Sequence, residues 1–258
     1  MTDPERKSLG RDWYKNSRLW QVFAPLMFGP ERWAQTPSEV DAIISLLGLK
    51  GTERILDACC GVGRHALEFA RRRFPVIGVD LNEDFIRAAE ESAASEGLSV
   101  TFFVQDIREF HPPHPFDVIL NLYTSFGYFE SEEEDLRFLK RMRDCLAPSG
   151  VLLIETKGKE IAARDFKDSE WYEEEGMYVL ARYEVEEDWT LLKNRWILIT
   201  EDSRCDYTFS QRLYSAREVK ELLRKAGFSE ISVCGNLQKA PYDTKAETLV
   251  ILAKAPPG

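Results

Sequence analysis

From Arg54 onward, short runs rich in valine, isoleucine, leucine and phenylalanine alternate with longer segments whose apolar residues recur every three to four positions. That alternation leaves few architectures open. Parallel strands cannot be joined by tight hairpins and need a crossover of about a dozen residues or more, so the pattern predicts a parallel sheet with helices on its faces. Strands are expected at 54–57, 75–80, 100–105, 116–122 and 151–156. The first four end at, beside or just before a polar residue: Asp57, Asp80, Asp106 and Asn121. In an open parallel sheet the carboxyl ends of the strands share one edge, and ligands bind there. A chain of 258 residues that is 44% apolar and 12% aromatic can fill a core of this size.

The helices between the strands carry start and stop signals. Ser131 to Glu134 and Ser215 to Glu218 fit the capping box, and each precedes a one-sided apolar stripe: Leu136, Leu139, Met142 and Leu146 in the first case, Val219, Leu222, Leu223 and Ala226 in the second. Thr36-Pro37-Ser38-Glu39 reads as a further helix start with proline at the first helical position, followed by Val40, Ile43, Ile44 and Leu47 and ended by Gly48. Two regions fall outside the alternation. Trp13, Tyr14, Trp20, Phe23, Met27, Phe28 and Trp33 form an aromatic-rich stretch expected to lie over the sheet edge, and 157–214 reads as three antiparallel strands at 178–185, 191–200 and 207–214. Runs at 230–234 and 248–253 would close the sheet. The expected division is therefore a lid at 1–37, an α/β domain at 38–156 and 215–254, and a β-rich insertion at 157–214.

The segment Ile55-Leu56-Asp57-Ala58-Cys59-Cys60-Gly61-Val62-Gly63-Arg64-His65-Ala66 leaves a strand and opens a helix. Glycine lacks a Cβ, so Gly61 and Gly63 can turn sharply and let a ligand approach the backbone, where the helix start offers unpaired N–H groups. Asp80 ends the next strand, from which a carboxylate can accept both hydroxyls of a ribose. Gly61, Gly63 and Ala66 also match the dinucleotide fingerprint G-x-G-x-x-A, which keeps a nicotinamide oxidoreductase open. Asp57 leans the other way, because an acid before the turn repels a pyrophosphate and suits a cationic ammonium or sulfonium. Asp106 stands within reach of an adenine amino group.

Charge and cysteine usage narrow the partners. The net charge of -10 repels phosphate backbones and disfavours a nucleic-acid partner, and the densest basic run, Arg71-Arg72-Arg73, falls at a helix end where cations complement the dipole. Five cysteines, two of them adjacent, lack metal-ligand spacing and read as reduced thiols of a cytoplasmic protein. The N-terminal residues carry charges throughout without the apolar core of a signal peptide, and no stretch reads as a membrane span. His111 and His114 sit in a proline-rich surface loop, and no metal site is expected. Glu173-Glu174-Glu175 and Glu186-Glu187 read as solvated faces or turns.

Taken together, the turn ILDACCGVGRH, VIGVDLN, FFVQDIREF, FDVILNLYTSFGYF and CLAPSGVLLIET resemble, in order, the motifs of class I S-adenosylmethionine-dependent methyltransferases. The resemblance implies a Rossmann-like seven-stranded sheet with its last strand antiparallel. It also implies S-adenosylmethionine contacts from Asp57, Cys59, Gly61, Gly63, Asp80, Leu81, Asp106, Ile107, Asn121 and Leu122. One departure is Cys59, which stands where the family has its first glycine and narrows the space near the methionine moiety. The aromatic N-terminal stretch and the insertion are similar to those of small-molecule enzymes such as amino-sugar N,N-dimethyltransferases and glycine N-methyltransferase-type proteins, in which such an insertion encloses substrate or forms a homodimer.

Transfer from a sulfonium is an in-line displacement on an activated donor, so orientation can supply most of the catalysis, about 7 to 11 kcal/mol. A neutral amine acceptor needs no base; a hydroxyl or carbon acid does. Tyr123, Phe126 and Tyr128 follow the fourth strand and are expected to line the acceptor pocket, with Tyr14 over the cofactor and Tyr123 the candidate catalytic residue. His65, at the helix start, is read as either a cap or a contact to the cofactor carboxylate. Two other readings stay open: a partner subunit or silent module that binds the cofactor without turnover, and methylation of RNA or protein. Charge and the absence of an Asn/Asp-Pro-Pro-aromatic signature at Asn121 to Thr124 disfavour the latter.

Overall fold

The computed structural model describes residues 7–174 and 176–258. Its elements run β1 (Lys7–Ser8), α1 (Ser17–Met27), α2 (Pro30–Leu47), β2 (Ile55–Ala58), α3 (Arg64–Arg71), β3 (Val76–Asp80), α4 (Glu83–Glu96), β4 (Val100–Val104), β5 (Phe116–Asn121), α5 (Glu132–Cys145), β6 (Leu146–Thr156), α6 (Lys159–Arg164), β7 (Ser169–Glu174), β8 (Met177–Glu186), β9 (Leu191–Ile199), β10 (Arg204–Arg212), α7 (Ala216–Lys225), β11 (Ser229–Cys234) and β12 (Leu249–Lys254).

The strands divide between two sheets. The larger has seven in the order β11-β12-β6-β5-β2-β3-β4. Neighbours from β6 to β4 pair in parallel, whereas β12 runs antiparallel to both β6 and β11. This is the seven-stranded Rossmann-like sheet, with its last strand reversed, that the motifs imply. Chain order reverses between β2 and β5, so the two strands meet at the topological switch point, where open α/β sheets bind ligands.

Apolar periodicity accounts for both layers around this sheet. Val40 and Ile43 of α2, Leu67 and Phe69 of α3 and Ala89 of α4 pack on one face together with Ile55, Leu120 and Leu153. Phe138, Leu139 and Met142 of α5 and Val219, Leu222 and Leu223 of α7 pack on the other with Leu56, Ile119 and Ile251. Ser215 makes the full capping box with Glu218. Ser131 makes half of one, accepting from the Glu134 N–H at 3.4 Å, while the Glu134 carboxylate pairs with Arg108.

Two expectations about the flanking regions need correction. The helix expected to start at Thr36 starts at Pro30 instead, after Gly29, and runs through Pro37 to the left-handed Gly48. Pro37, expected at the first helical position, lies inside the helix, and Pro30 takes that place; α2 crosses the boundary expected at 37/38. The second sheet, expected to hold three strands, has four antiparallel ones, β7 to β10, with β1 added in parallel to β10. Its extra strand, β7, is exposed at every residue, so nothing in its hydropathy marks it as a strand. Glu173 and Glu174 are exposed on it; Glu175 lies outside the described residues.

A third core holds the second sheet to α1. Leu19 and Phe23 of α1 are buried against Val179, Leu198, Tyr207 and Phe209, and Trp13 stacks on Phe209 with ring centroids 4.3 Å apart. The aromatic stretch therefore joins the sheets as well as lying over the edge of the large one, where Phe28 stands against Gly61.

Candidate functional site

The turn between β2 and α3 is shaped by three left-handed residues, Cys59 (φ +65°), Gly61 (φ +56°) and Gly63 (φ +73°). Cys59 adopts the backbone that a glycine would, at a cost of about 1–2 kcal/mol for a residue with a Cβ, and its N–H is fixed on the Val79 carbonyl at 2.8 Å. The departure at this position leaves the turn intact. A Cβ on Gly63 would stand 2.9 Å from the Ala89 Cβ and 3.0 Å from the Phe102 ring, so packing as well as φ demands glycine there.

Two carboxylates flank the turn. Asp80 Oδ2 accepts from the Gly61 N–H at 2.8 Å and its Oδ1 from the Asn82 N–H at 2.9 Å. Asp57, 3% exposed, accepts from the Ala66 N–H at 3.1 Å and so also braces the start of α3. Burial pushes both carboxyls above the ordinary aspartate range. Each would be relieved by a positive charge nearby, since that favours the ionised form.

Above them lies a cavity of about 370 Å³ between the carboxyl edge of the large sheet, α1 and α2, and the inner face of the second sheet. Asp57, Cys59, Gly61, Asp80, Leu81, Leu122, Tyr14, Tyr123 and Tyr128 line it. Five predicted residues do not. Gly63 is taken up by helix packing, and Ile107 is buried in the core behind the sheet edge. Asn121 is fully buried, donating from Nδ2 to the Ala58 carbonyl at 3.0 Å. Phe126, expected in the pocket, is a core residue stacked among Phe138 and Tyr214. Asp106 is held by Arg108, with Oδ2 to Nη2 at 2.6 Å and Oδ1 to Nε at 3.0 Å.

Several cavity residues escaped the sequence reading. Glu170, Tyr172, Val179, Ala181, Tyr183 and Trp196 come from the second sheet; Phe28 ends α1, Arg32 lies in α2, and Asn82 follows β3. Once β7 is a strand, its two-residue period puts Glu170 and Tyr172 on one face, but the run has no alternation by which it could be read as a strand. Which sheet that face would meet was not legible.

Behind Tyr123, α2 presents Glu39. Its Oε2 receives hydrogen bonds from His65 Nε2 at 2.9 Å and Arg64 Nη1 at 3.0 Å, and its Oε1 receives the Tyr123 hydroxyl. Burial alone would raise the Glu39 pKa, but the hydrogen bonds from His65 and Tyr123 and the charge of Arg64 hold it at about 2. His65 is thus a bridge between α3 and α2. The Arg64 guanidinium also lies 4.5 Å from the Tyr123 ring centroid, and Arg32 lies 5.3 Å away. Tyr123 and Thr124 are both left-handed (φ +54° and +62°), a conformation costing on the order of 1–3 kcal/mol each and retained only where neighbours fix it. Glu155 does so, accepting the Tyr123 N–H at 3.0 Å on its carboxylate and the Thr124 N–H at 3.1 Å on its carbonyl.

Among the described residues no group of three or more His, Cys, Asp or Glu side chains could hold a metal, and no helix is long and apolar enough to cross a membrane.

Comparison with known proteins agrees with this geometry. Residues 55–150 match the family described as a methyltransferase domain. The S-adenosylmethionine-dependent methyltransferase of Clostridium acetobutylicum ATCC 824 superposes with a TM-score of 0.78 at 16% identity, covering 93% of this chain and 98% of that one. The glycine/sarcosine N-methyltransferase of Aphanothece halophytica is 25% identical over 86% of this chain and 83% of its own length. A dTDP-4-amino-2,3,4,6-tetradeoxy-D-glucose N,N-dimethyltransferase of Saccharopolyspora spinosa is 32% identical over a shorter span, 48% of this chain and 47% of that one. The chain is a class I methyltransferase in fold. Residues 55–150 are thus a methyltransferase domain set within that fold.

Proposed function

We propose that the cavity binds S-adenosylmethionine over the glycine turn and that the chain transfers its methyl group to a small-molecule acceptor held under the second sheet. The observation that carries this reading is the pair of carboxylates, buried Asp57 and half-buried Asp80, on the cavity floor at the switch point. The floor suits a sulfonium nucleoside in a second way: Asn82 Nδ2 is buried at the cavity without a hydrogen-bond partner, a donor that a ligand would satisfy.

In this reading Asp80 accepts the ribose hydroxyls on the lone pairs left free by Gly61 and Asn82, Leu81 and Leu122 pack against the nucleoside, and Asp57 favours positive charge beside the turn. When bound, the cofactor supplies an electrophilic methyl group with a neutral thioether as leaving group. The protein's share is to orient and to exclude water. At the acceptor end Tyr123 and Tyr128 from the large domain face Tyr172, Tyr183 and Trp196 from the second sheet. A cavity of about 370 Å³ lies within the range of roughly 300–1,000 Å³ for small-molecule sites.

In the same reading the residues up to 37 act as the lid, the second sheet is the insertion, and the protein works in the cytoplasm with its cysteines reduced. Edge strand β7 leaves Trp171 69% exposed, which supports association of two copies through the insertion. Titration calorimetry with S-adenosylmethionine tests the central claim. Wild-type protein should bind and Asp80→Ala should not at comparable concentrations; an unchanged dissociation constant removes the ribose assignment.

A further inference from the structure

We propose that Glu39 is a positioning residue that holds the Tyr123 phenol as a hydrogen-bond acceptor toward the cavity, and that the methyl acceptor is therefore an amine presenting an N–H group to that oxygen. The inference rests on the methyl-transfer reading above and names the substrate class it leaves open.

The donor and acceptor roles follow from Glu39. An ionised carboxylate has no proton to give, so each of its three contacts must be a donation from the partner: His65 Nε2, Arg64 Nη1 and the Tyr123 hydroxyl. The phenol proton is committed to Glu39, and what Tyr123 can offer a ligand is a lone pair. The opposite wall repeats the arrangement, since the Tyr183 hydroxyl donates to Glu170 Oε1 at 2.7 Å. The acceptor end thus has two phenol oxygens stripped of their donor role, a carboxylate, and the faces of Tyr172 and Trp196. Such a lining suits N–H donors and, before deprotonation, an ammonium group.

On the same wall His65, which also lines the cavity, has its Nε2 committed to Glu39, and the groups in front of it are poorly equipped to activate a hydroxyl. Glu39, held at about 2, is too weak a base to take an alcohol or phenol proton, and burial with the Glu39 charge beyond it pushes the Tyr123 phenol above its ordinary range. An amine that enters neutral needs no base. Its lone pair forms the new N–C bond as the C–S bond breaks with its electron pair left on sulfur. The positive charge passes to nitrogen, whose remaining N–H points at Tyr123, and the extra proton is lost to water on release. Arg32, over the Tyr123 ring, could meet a carboxylate elsewhere on such an amine.

Three measurements test this, preceded by cofactor calorimetry. Absence of cofactor binding would sink the methyltransferase reading itself. With binding intact, labelled S-adenosylmethionine is incubated with matched panels of small primary and secondary amines, including glycine and amino sugars, and of alcohols, phenols and carboxylic acids. Product should appear among the amines only; product in the other panel, or in neither, overturns the proposal. On the best amine, Tyr123→Phe and Glu39→Gln should each lower kcat/KM at least tenfold with cofactor affinity within threefold. The double variant should be no worse than the poorer single, because Glu39 acts through Tyr123; additive losses overturn that route. Independently of activity, ultraviolet titration against a Tyr123→Phe blank should show the Tyr123 phenol ionising at lower pH in Glu39→Gln, and an unchanged titration means Glu39 does not hold its proton.

Discussion

The floor of the cavity is chiefly one passage of chain, the strand-turn-helix-strand unit at 55–82, completed by Leu122 after β5, whereas its roof is gathered from α1, α2 and the inner face of β7 to β9, far apart in sequence. The floor positions Asp57, Gly61 and Asp80 through backbone geometry and short-range hydrogen bonds. The roof positions Trp196 through the packing of a third core, and Glu170 and Tyr172 through the pairing of β7 with β8. Parts fixed by local geometry suit a ligand that never changes, the methyl donor. Parts fixed by packing between segments can be repacked for another acceptor without disturbing the donor. If that division is right, floor and roof variants should separate cofactor affinity from acceptor specificity.

The largest expected effect is on the floor. Asp80→Ala removes charge-assisted hydrogen bonds worth roughly 1.5–3 kcal/mol each, so S-adenosylmethionine affinity should fall at least a hundredfold by calorimetry. Tyr172→Ala, on the roof, should leave that affinity within about threefold and raise the acceptor KM several-fold. Equal losses of cofactor affinity in both variants would erase the distinction. Next in size is Gly63→Ala, which adds a left-handed alanine and two sub-van der Waals contacts. A loss of about 2–4 kcal/mol by denaturant unfolding is expected, with wild-type stability showing that the turn can relax.

The floor should also respond to pH in a way that identifies its ligand as a cation. Burial raises the pKa of Asp57 and of Asp80. In the window between the unfolded and folded values the native state holds more protons, so apo-protein stability falls as pH rises through it. Cofactor binding runs the other way. A sulfonium favours the ionised carboxylates, so its affinity should drop as pH falls through the raised values, while S-adenosylhomocysteine, a neutral thioether, should show a flatter profile. Parallel profiles would mean that neither carboxylate senses the charge on sulfur.

How much was legible in the sequence follows the same line. The parallel strands of the large sheet could be read because period and turn chemistry act within a few residues; its reversed last strand followed only from the resemblance of the motifs to a known family. Asp57 and Asp80 could be placed at the sheet edge, where they line the cavity, because a strand end and a glycine turn fix where their side chains go. Phe126 was misplaced because residues after a strand diverge: Tyr123 and Thr124 turn left-handed, and Phe126 is delivered into the core with Phe138. Glu39 was read only as part of a cap that does not exist, since Pro30 and not Pro37 opens α2. Its partners Tyr123, Arg64 and His65 come from two other segments, and no spacing rule brings them together.

The smallest expected effect concerns Asp106, read from the sequence as an adenine contact. Its carboxylate caps the following turn, accepting from the Arg108 N–H at 3.0 Å, and pairs with the Arg108 guanidinium. Burial would raise its pKa, yet the hydrogen bonds and charge of Arg108 leave it below the usual range. Arg108 in turn donates to the Tyr14 hydroxyl at 3.1 Å and lies 4.2 Å over the Phe129 ring, so Asp106 reaches the cavity only by bracing the tyrosine that covers it. Asp106→Asn keeps the shape and weakens the brace, and cofactor affinity should fall about two- to threefold by calorimetry, far less than for Asp80→Ala. Tyr14→Phe should give a loss of the same size, and the double variant no more, because both act through one chain of contacts. A loss rivalling that of Asp80→Ala would instead mean that Asp106 leaves Arg108 when ligand binds and that the lid is rebuilt around it.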